Sequence, residues 1–202
     1  MTLPVWPEGI SPNSMSINLV HNSKSFSSPY NGSTMSHKFP GARWVATLNF
    51  DTLDNFGVRE IDILQSFVWA LEGEAGRFMM HNFSKPGGPE KGSPIVLGDN
   101  QYGGLLNTSG WTPNSLVVPR GHHFAVNNEL KVATEDLYSN ETGVCTLRFT
   151  PWLRTPPANG AAITTDKPKG MFRLMDDEQG YFDLTPGLEG TISIQVVEVF
   201  NV

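Results

Sequence analysis

The amino-acid sequence predicts a mainly β fold, an antiparallel β-barrel or sandwich with one docked α-helix and an extended N-terminal arm. Three observations carry that expectation. Twenty glycines and fifteen prolines in 202 residues, about one residue in six, favour frequent turns and short strands. From Arg43 onward, apolar and polar side chains alternate in short runs separated by turn residues, as half-buried strands do. Only one stretch repeats its apolar residues at the three- and four-residue spacing of a helix.

Residues 1–43 are rich in Ser, Asn and Pro and carry Glu8, Lys24, Lys38 and Arg43 as their only charges. Their apolar residues come singly, so the segment reads as an extended arm laid over a folded body or over a neighbouring subunit. Trp6, Phe26 and Tyr30 are its candidate contacts, because large aromatics are rarely left in water without a purpose.

The body is expected to span 44–202. It opens on Trp44-Val45-Ala46-Thr47-Leu48-Asn49-Phe50, an alternating strand. A helix near 55–73 follows, with Val58, Ile61, Leu64, Phe67, Val68 and Leu71 on one face, Asp54 as N-cap and Gly73 as the stop. Arg77 to Phe83 reads as a strand and Ser84 to Gly92 as a loop. Strands are then expected at 105–109, 115–118, 123–127, 129–133, 144–150, 170–175, 181–184 and 191–199. Asn127-Asn128 between two alternating runs predicts a tight hairpin, since Asn tolerates positive φ.

Composition excludes several classes. A single cysteine, Cys145, forms no internal disulfide. A net charge of −6 with pI near 5.3 gives no electrostatic footprint for a phosphate backbone, so no specific nucleic-acid binding is expected. No apolar run is long enough for membrane insertion, and Met1-Thr2-Leu3-Pro4 lacks the basic and apolar regions of a signal peptide. Folding in a reducing cytoplasm is the expectation.

Residues that would carry catalysis are sparse. His122 and His123 are adjacent and would point to opposite faces of a strand, and no further His or Cys stands at zinc spacing, so no metal is expected. Asp176-Asp177-Glu178 departs from the twelve-residue calcium loop and reads as a solvated hairpin turn. Cys145 lies in an alternating run and reads as a buried, inert thiol. Gly87-Gly88 and Gly103-Gly104 belong to no phosphate-binding motif, and no serine sits in a nucleophile elbow, so neither a cofactor nor an enzymatic activity is expected. Of the five tryptophans, Trp44, Trp69 and Trp152 are expected in the core, while Trp6 and Trp111 are candidate partner contacts.

The order of segments resembles a group of tailed-bacteriophage virion proteins across nearly the whole chain. The resemblance is carried by Phe26-Ser27-Ser28-Pro29-Tyr30-Asn31-Gly32, Phe39-Pro40-Gly41-Ala42-Arg43-Trp44 and Phe67-Val68-Trp69-Ala70-Leu71-Glu72-Gly73 with Gly76-Arg77-Phe78. Later pieces are Gly110-Trp111, Pro119-Arg120-Gly121-His122-His123-Phe124, Pro151-Trp152-Leu153-Arg154-Thr155-Pro156-Pro157 and Gly170-Met171-Phe172-Arg173-Leu174. Many relatives would carry Gly-Asp where this chain has Gly121-His122, so any role of that acid is absent here. The resemblance implies a tail structural protein of the distal-tail or hub type, located in the virion tail and assembled in the host bacterial cytoplasm. It further implies a homo-oligomeric ring, commonly sixfold, that docks to other tail proteins such as tube, hub or fibre.

The composition is compatible with such a role. A surface rich in Asn, Ser and Thr costs less to desolvate than one rich in Lys and Glu. An acidic lining would also repel DNA passing through a ring. Two rival readings are a carbohydrate- or receptor-binding β-sandwich using Trp111 and Tyr102, and a hydrolase using Asp176, Asp177 or His123. The hydrolase lacks any spacing that places an acid beside a base.

Overall fold

The computed structural model describes residues 4–54, 59–184 and 189–200. In chain order its elements are β1 (Ser14–Ser27), β2 (Thr34–Asp54), α1 (Glu60–Ala70), β3 (Phe78–His81), β4 (Gly92–Val96), β5 (Gly103–Trp111), β6 (Leu116–Val118) and β7 (His123–Val126). There follow β8 (Glu129–Ala133), β9 (Leu137–Tyr138), β10 (Cys145–Leu153), β11 (Ile163–Thr164), β12 (Lys169–Leu174), β13 (Asp183–Leu184) and β14 (Glu189–Glu198). The fold is mainly β and its strand pairs within the sheets are antiparallel, as expected.

The first sheet runs β1-β2-β14-β12-β3, with β13 beside β14. Alternation sets its faces: Trp44, Ala46, Leu48 and Phe50 of β2 are buried, as are Ile192, Ile194 and Val196 of β14. α1 covers that apolar face with Ile61, Leu64 and Val68, joined by Leu71 just beyond its end. The helix is shorter than expected. Asp54 is the last residue of β2, and the N-cap position belongs to Arg59, in the left-handed region and without a side-chain cap. Residues 55–58, including Val58, lie outside the described residues. At the other end Leu71 closes the helix, and Gly73 instead begins a 3-10 turn, Gly73–Ala75.

The second sheet runs β11-β7-β8-β10-β5-β4 and curls into a nearly closed barrel. Its two ends meet where Ile95 pairs with Ala162 and Val96 N–H donates to Ala161 O at 2.9 Å. Val96, Leu106, Phe124, Val126, Leu147, Phe149 and Ile163 fill its interior. β7 and β8 form the expected hairpin, with Asn127 and Asn128 both at positive φ, 53° and 60°, as a two-residue hairpin turn matching the strands' twist requires. β6 and β9 make a small separate pair. Gly110 of the Gly110-Trp111 motif adopts φ 84°, and a Cβ there would lie 2.3 Å from Ser93 O, so no other residue fits.

The segment expected as an arm is divided by the structure. Residues 4–20 belong to the body: Pro4–Trp6 runs along β3 through reciprocal bonds with Met79, and the first half of β1 pairs with β2 from Ser14↔Asn49 to Val20↔Arg43. The register then shifts, and Pro40, Gly41 and Ala42 of β2 stand where β1 supplies only His21. Pro40 has no N–H for the ladder and Gly41 takes φ 103°, so the pair bends there. Beyond the bend, Asn22–Ser27 and Thr34–Phe39 continue as a two-stranded ribbon. The expected arm–body boundary at residue 43 thus falls inside β2, one residue past this bend.

Candidate interaction surface

The ribbon presents little but surface. Every residue from His21 to Ser27 and from Pro29 to Lys38 is exposed, and among the described strands β1 pairs with β2 alone, which makes it the edge of the first sheet. Tyr30 at the tip is 97% exposed; Phe26 and Met35, paired across the strands, are 59% and 73% exposed. Cross-strand contacts such as Ser25 Oγ to Ser36 Oγ at 2.8 Å hold it together. A two-stranded ribbon is marginally stable alone in water, and an unblunted edge strand is a template for further pairing.

Its base is held firmly. Asn22 Nδ2 donates to Pro40 O at 3.0 Å across the bend. Arg154, directly after β10, donates through Nη2 to Ala42 O at 2.9 Å and grips Glu198 of β14 with both terminal nitrogens, at 2.9 and 2.5 Å. Glu198 Oε2 also accepts the Trp44 N–H at 3.1 Å, and the Trp44 indole donates to Leu130 O of β8 at 2.9 Å. Next to this pair Lys131, fully buried, donates to Glu129 at 2.5 Å and to Trp152 O at 3.0 Å. Burial pushes the Lys131 pKa down, and the adjacent Glu129 carboxylate opposes that. These charges join the first sheet to the barrel and fix the point where the ribbon departs. An apolar cleft of about 360 Å³ opens beside them, lined by Phe39, Pro40, Trp152, Leu153 and Phe200 among others. Lys38 Nζ lies 4.0 Å from the centre of the Trp152 ring, a cation–π contact from the ribbon's root.

The four candidate contact residues separate into two pairs. Phe26 and Tyr30 are on the ribbon, exposed. Trp6 and Trp111 are instead core residues, a correction to the expectation that they meet a partner. Trp6 lies against Phe50, Phe67, Phe78 and Phe83, with ring centroids 5.4 to 6.0 Å apart, and its indole donates to Ile10 O at 2.8 Å. The Trp111 indole donates to Thr108 Oγ1 at 2.7 Å, and that hydroxyl donates onward to Cys145 O. Both tryptophans thus have their polar atom satisfied inside the fold. Burial of Trp111 also separates it from the exposed Tyr102, its partner in the sugar-stacking reading.

Conversely, Trp69 and Trp152, expected inside with Trp44, are exposed. The sequence held a signal for each. Trp69 falls off the helical set Ile61, Leu64, Val68 and Leu71, and Trp152 is out of phase with the buried odd-numbered positions of β10, from Cys145 to Leu153.

The remaining polar candidates are dispersed. His123 is buried edge-on to Trp44, ring centroids 5.3 Å apart, and among the described residues neither ring nitrogen has a hydrogen-bond partner. Desolvation, helped by Lys85 and His122 nearby, pushes its pKa down to about 4. Cys145 is buried, and desolvation raises its thiol pKa to about 11. The Asp176-Asp177-Glu178 loop is tied down locally: Asp176 accepts the Glu178 N–H and Asp177 accepts the Glu74 N–H. Among the described residues, no three His, Cys, Asp or Glu side chains gather as a metal ion would require. The chain matches no known protein-family model and no curated protein.

Proposed function

We propose that this chain is a structural subunit of a bacteriophage tail, a distal-tail or hub-type component that assembles with copies of itself into a ring and docks to neighbouring tail proteins. The observation that supports the reading is the ribbon, two strands whose residues are nearly all exposed among the described residues, rooted in buried ion pairs and tipped with exposed aromatic residues. A monomer gains nothing from ordering such an element in water. An assembly gains apolar burial worth about 1.5–3 kcal/mol for each large side chain covered. The resemblance of the motif order to phage virion proteins supports the same class, and the role proposed is structural rather than enzymatic.

Light scattering with negative-stain imaging tests the reading. The intact chain is expected to form closed rings. A variant in which residues 22–39 are replaced by a short turn is expected to remain folded and monomeric. A strictly monomeric intact protein, or a ribbonless variant that forms normal rings, would overturn the reading.

A further inference from the structure

We infer that the ribbon of one copy docks at the C-terminal end of α1 in a second copy, where the carboxylates of Glu72, Glu74 and residues 176–178 gather between two exposed aromatic residues. The inference rests on the self-assembly reading above and names its receiving surface.

Charge is the first support. Residues 22–39 contain Lys24 and Lys38 and no acidic residue, a net charge of +2, while the remainder of the chain, holding all twenty acids, carries −8. The ribbon is thus a cationic element on an anionic body, and a second copy supplies the opposite charge.

The receiving face concentrates that charge. Beside the C-terminal half of α1 runs the loop between β12 and β13: a Cβ added to Gly180 would lie 2.6 Å from Val68 Cγ1, and Asp177 accepts the Glu74 N–H at 2.9 Å. This contact brings Asp176, Asp177 and Glu178 alongside Glu72 and Glu74, with Arg173 paired to Glu74. The helix's last turn holds no basic residue, so its negative dipole end adds to the field. Trp69 and Tyr181, the chain neighbours of Val68 and Gly180 at that contact, are 63% and 82% exposed. Acid and aromatic surface there match the Lys24, Phe26, Tyr30 and Met35 surface of the ribbon in chemistry and opposite charge. Six residues beyond the bend extend about 20 Å, which carries Lys24, Phe26 and Tyr30 clear of the ribbon's root. The ribbon does not lie on its own α1, since its residues are exposed.

A zero-length carbodiimide, which joins an ammonium to a contacting carboxylate, tests this on the full chain. Isotopically light and heavy protein are mixed before assembly, and products are mapped by mass spectrometry. Products between copies are expected from Lys24 to Glu72 or to 176–178. Doubly substituted protein, Glu72→Lys with Glu178→Lys, is expected to associate at least tenfold more weakly, and adding Lys24→Glu to be restorative; circular dichroism verifies folding. Assemblies in which Lys24 joins other carboxylates, or none, would overturn the receiving surface and leave self-assembly standing. A protein monomeric at every concentration would overturn both.

Discussion

Arg154 and Glu198 meet in a two-pronged ion pair, Nη1 to Oε1 at 2.9 Å and Nη2 to Oε2 at 2.5 Å, across the joint between the barrel and the first sheet. The Glu198 side chain is 1% exposed, so neither water nor salt screens the pair fully. Removing one member strands the other. Arg154→Met is expected to destabilise the fold by about 3–5 kcal/mol, measured by urea denaturation. The double change with Glu198→Leu is expected to recover much of that loss, because no uncompensated charge is left buried.

His123 makes stability depend on pH. Its folded-state pKa, about 4, lies below the ordinary 6.5, so between those values the unfolded chain binds the proton and the folded chain does not. The stabilising contribution is complete above pH 6.5 and declines as pH falls towards 4, by about 3 kcal/mol. Thermal melts at pH 7 and pH 4.5 are expected to differ, and His123→Phe to narrow the difference.

The two classes of aromatic residue are expected to respond oppositely to truncation. Trp6→Ala empties the centre of an aromatic cluster and should cost about 3–5 kcal/mol of stability. Tyr30→Ala, at a fully exposed tip, should leave the melting temperature unchanged and weaken association only. Melting curves and light scattering on the same samples distinguish the two effects.

That contrast also shows what the residues revealed before folding. The Asn127-Asn128 hairpin, the alternating Trp44–Phe50 strand and the apolar stripe of α1 were legible because each is a local pattern. β1 was not. It alternates from Met15 to Leu19, and from His21 to Ser25 it is polar on both sides, since an exposed ribbon needs no continuous apolar face. Trp6 was misplaced for a different reason: four phenylalanines from distant parts of the chain bury it, and no spacing near residue 6 reports them. The ion pairs of the joint were equally hidden, with Arg154 and Glu198 separated by 44 positions.

At the β7–β8 turn, both asparagines hold positive φ, a conformation that costs other non-glycine residues more. Asn128→Gly is expected to raise stability by a few tenths of a kcal/mol up to about 1, and Asn128→Val to lower it by about 1–2. Melting temperatures of the two variants should bracket that of the parent protein.

Because β2 carries the ribbon outward and is also paired with β1 on one side and β14 on the other, it is the strand through which force on the ribbon would enter the body. A pull along its axis would load the ladder bonds from Glu189↔Asp54 to Val197↔Val45 together, in shear, rather than peel them one at a time. The Arg154 contact to Ala42 O, placed at the bend itself, would take up the sideways component. If the ribbon holds a second copy as proposed, that contact at the tip would yield before its root does.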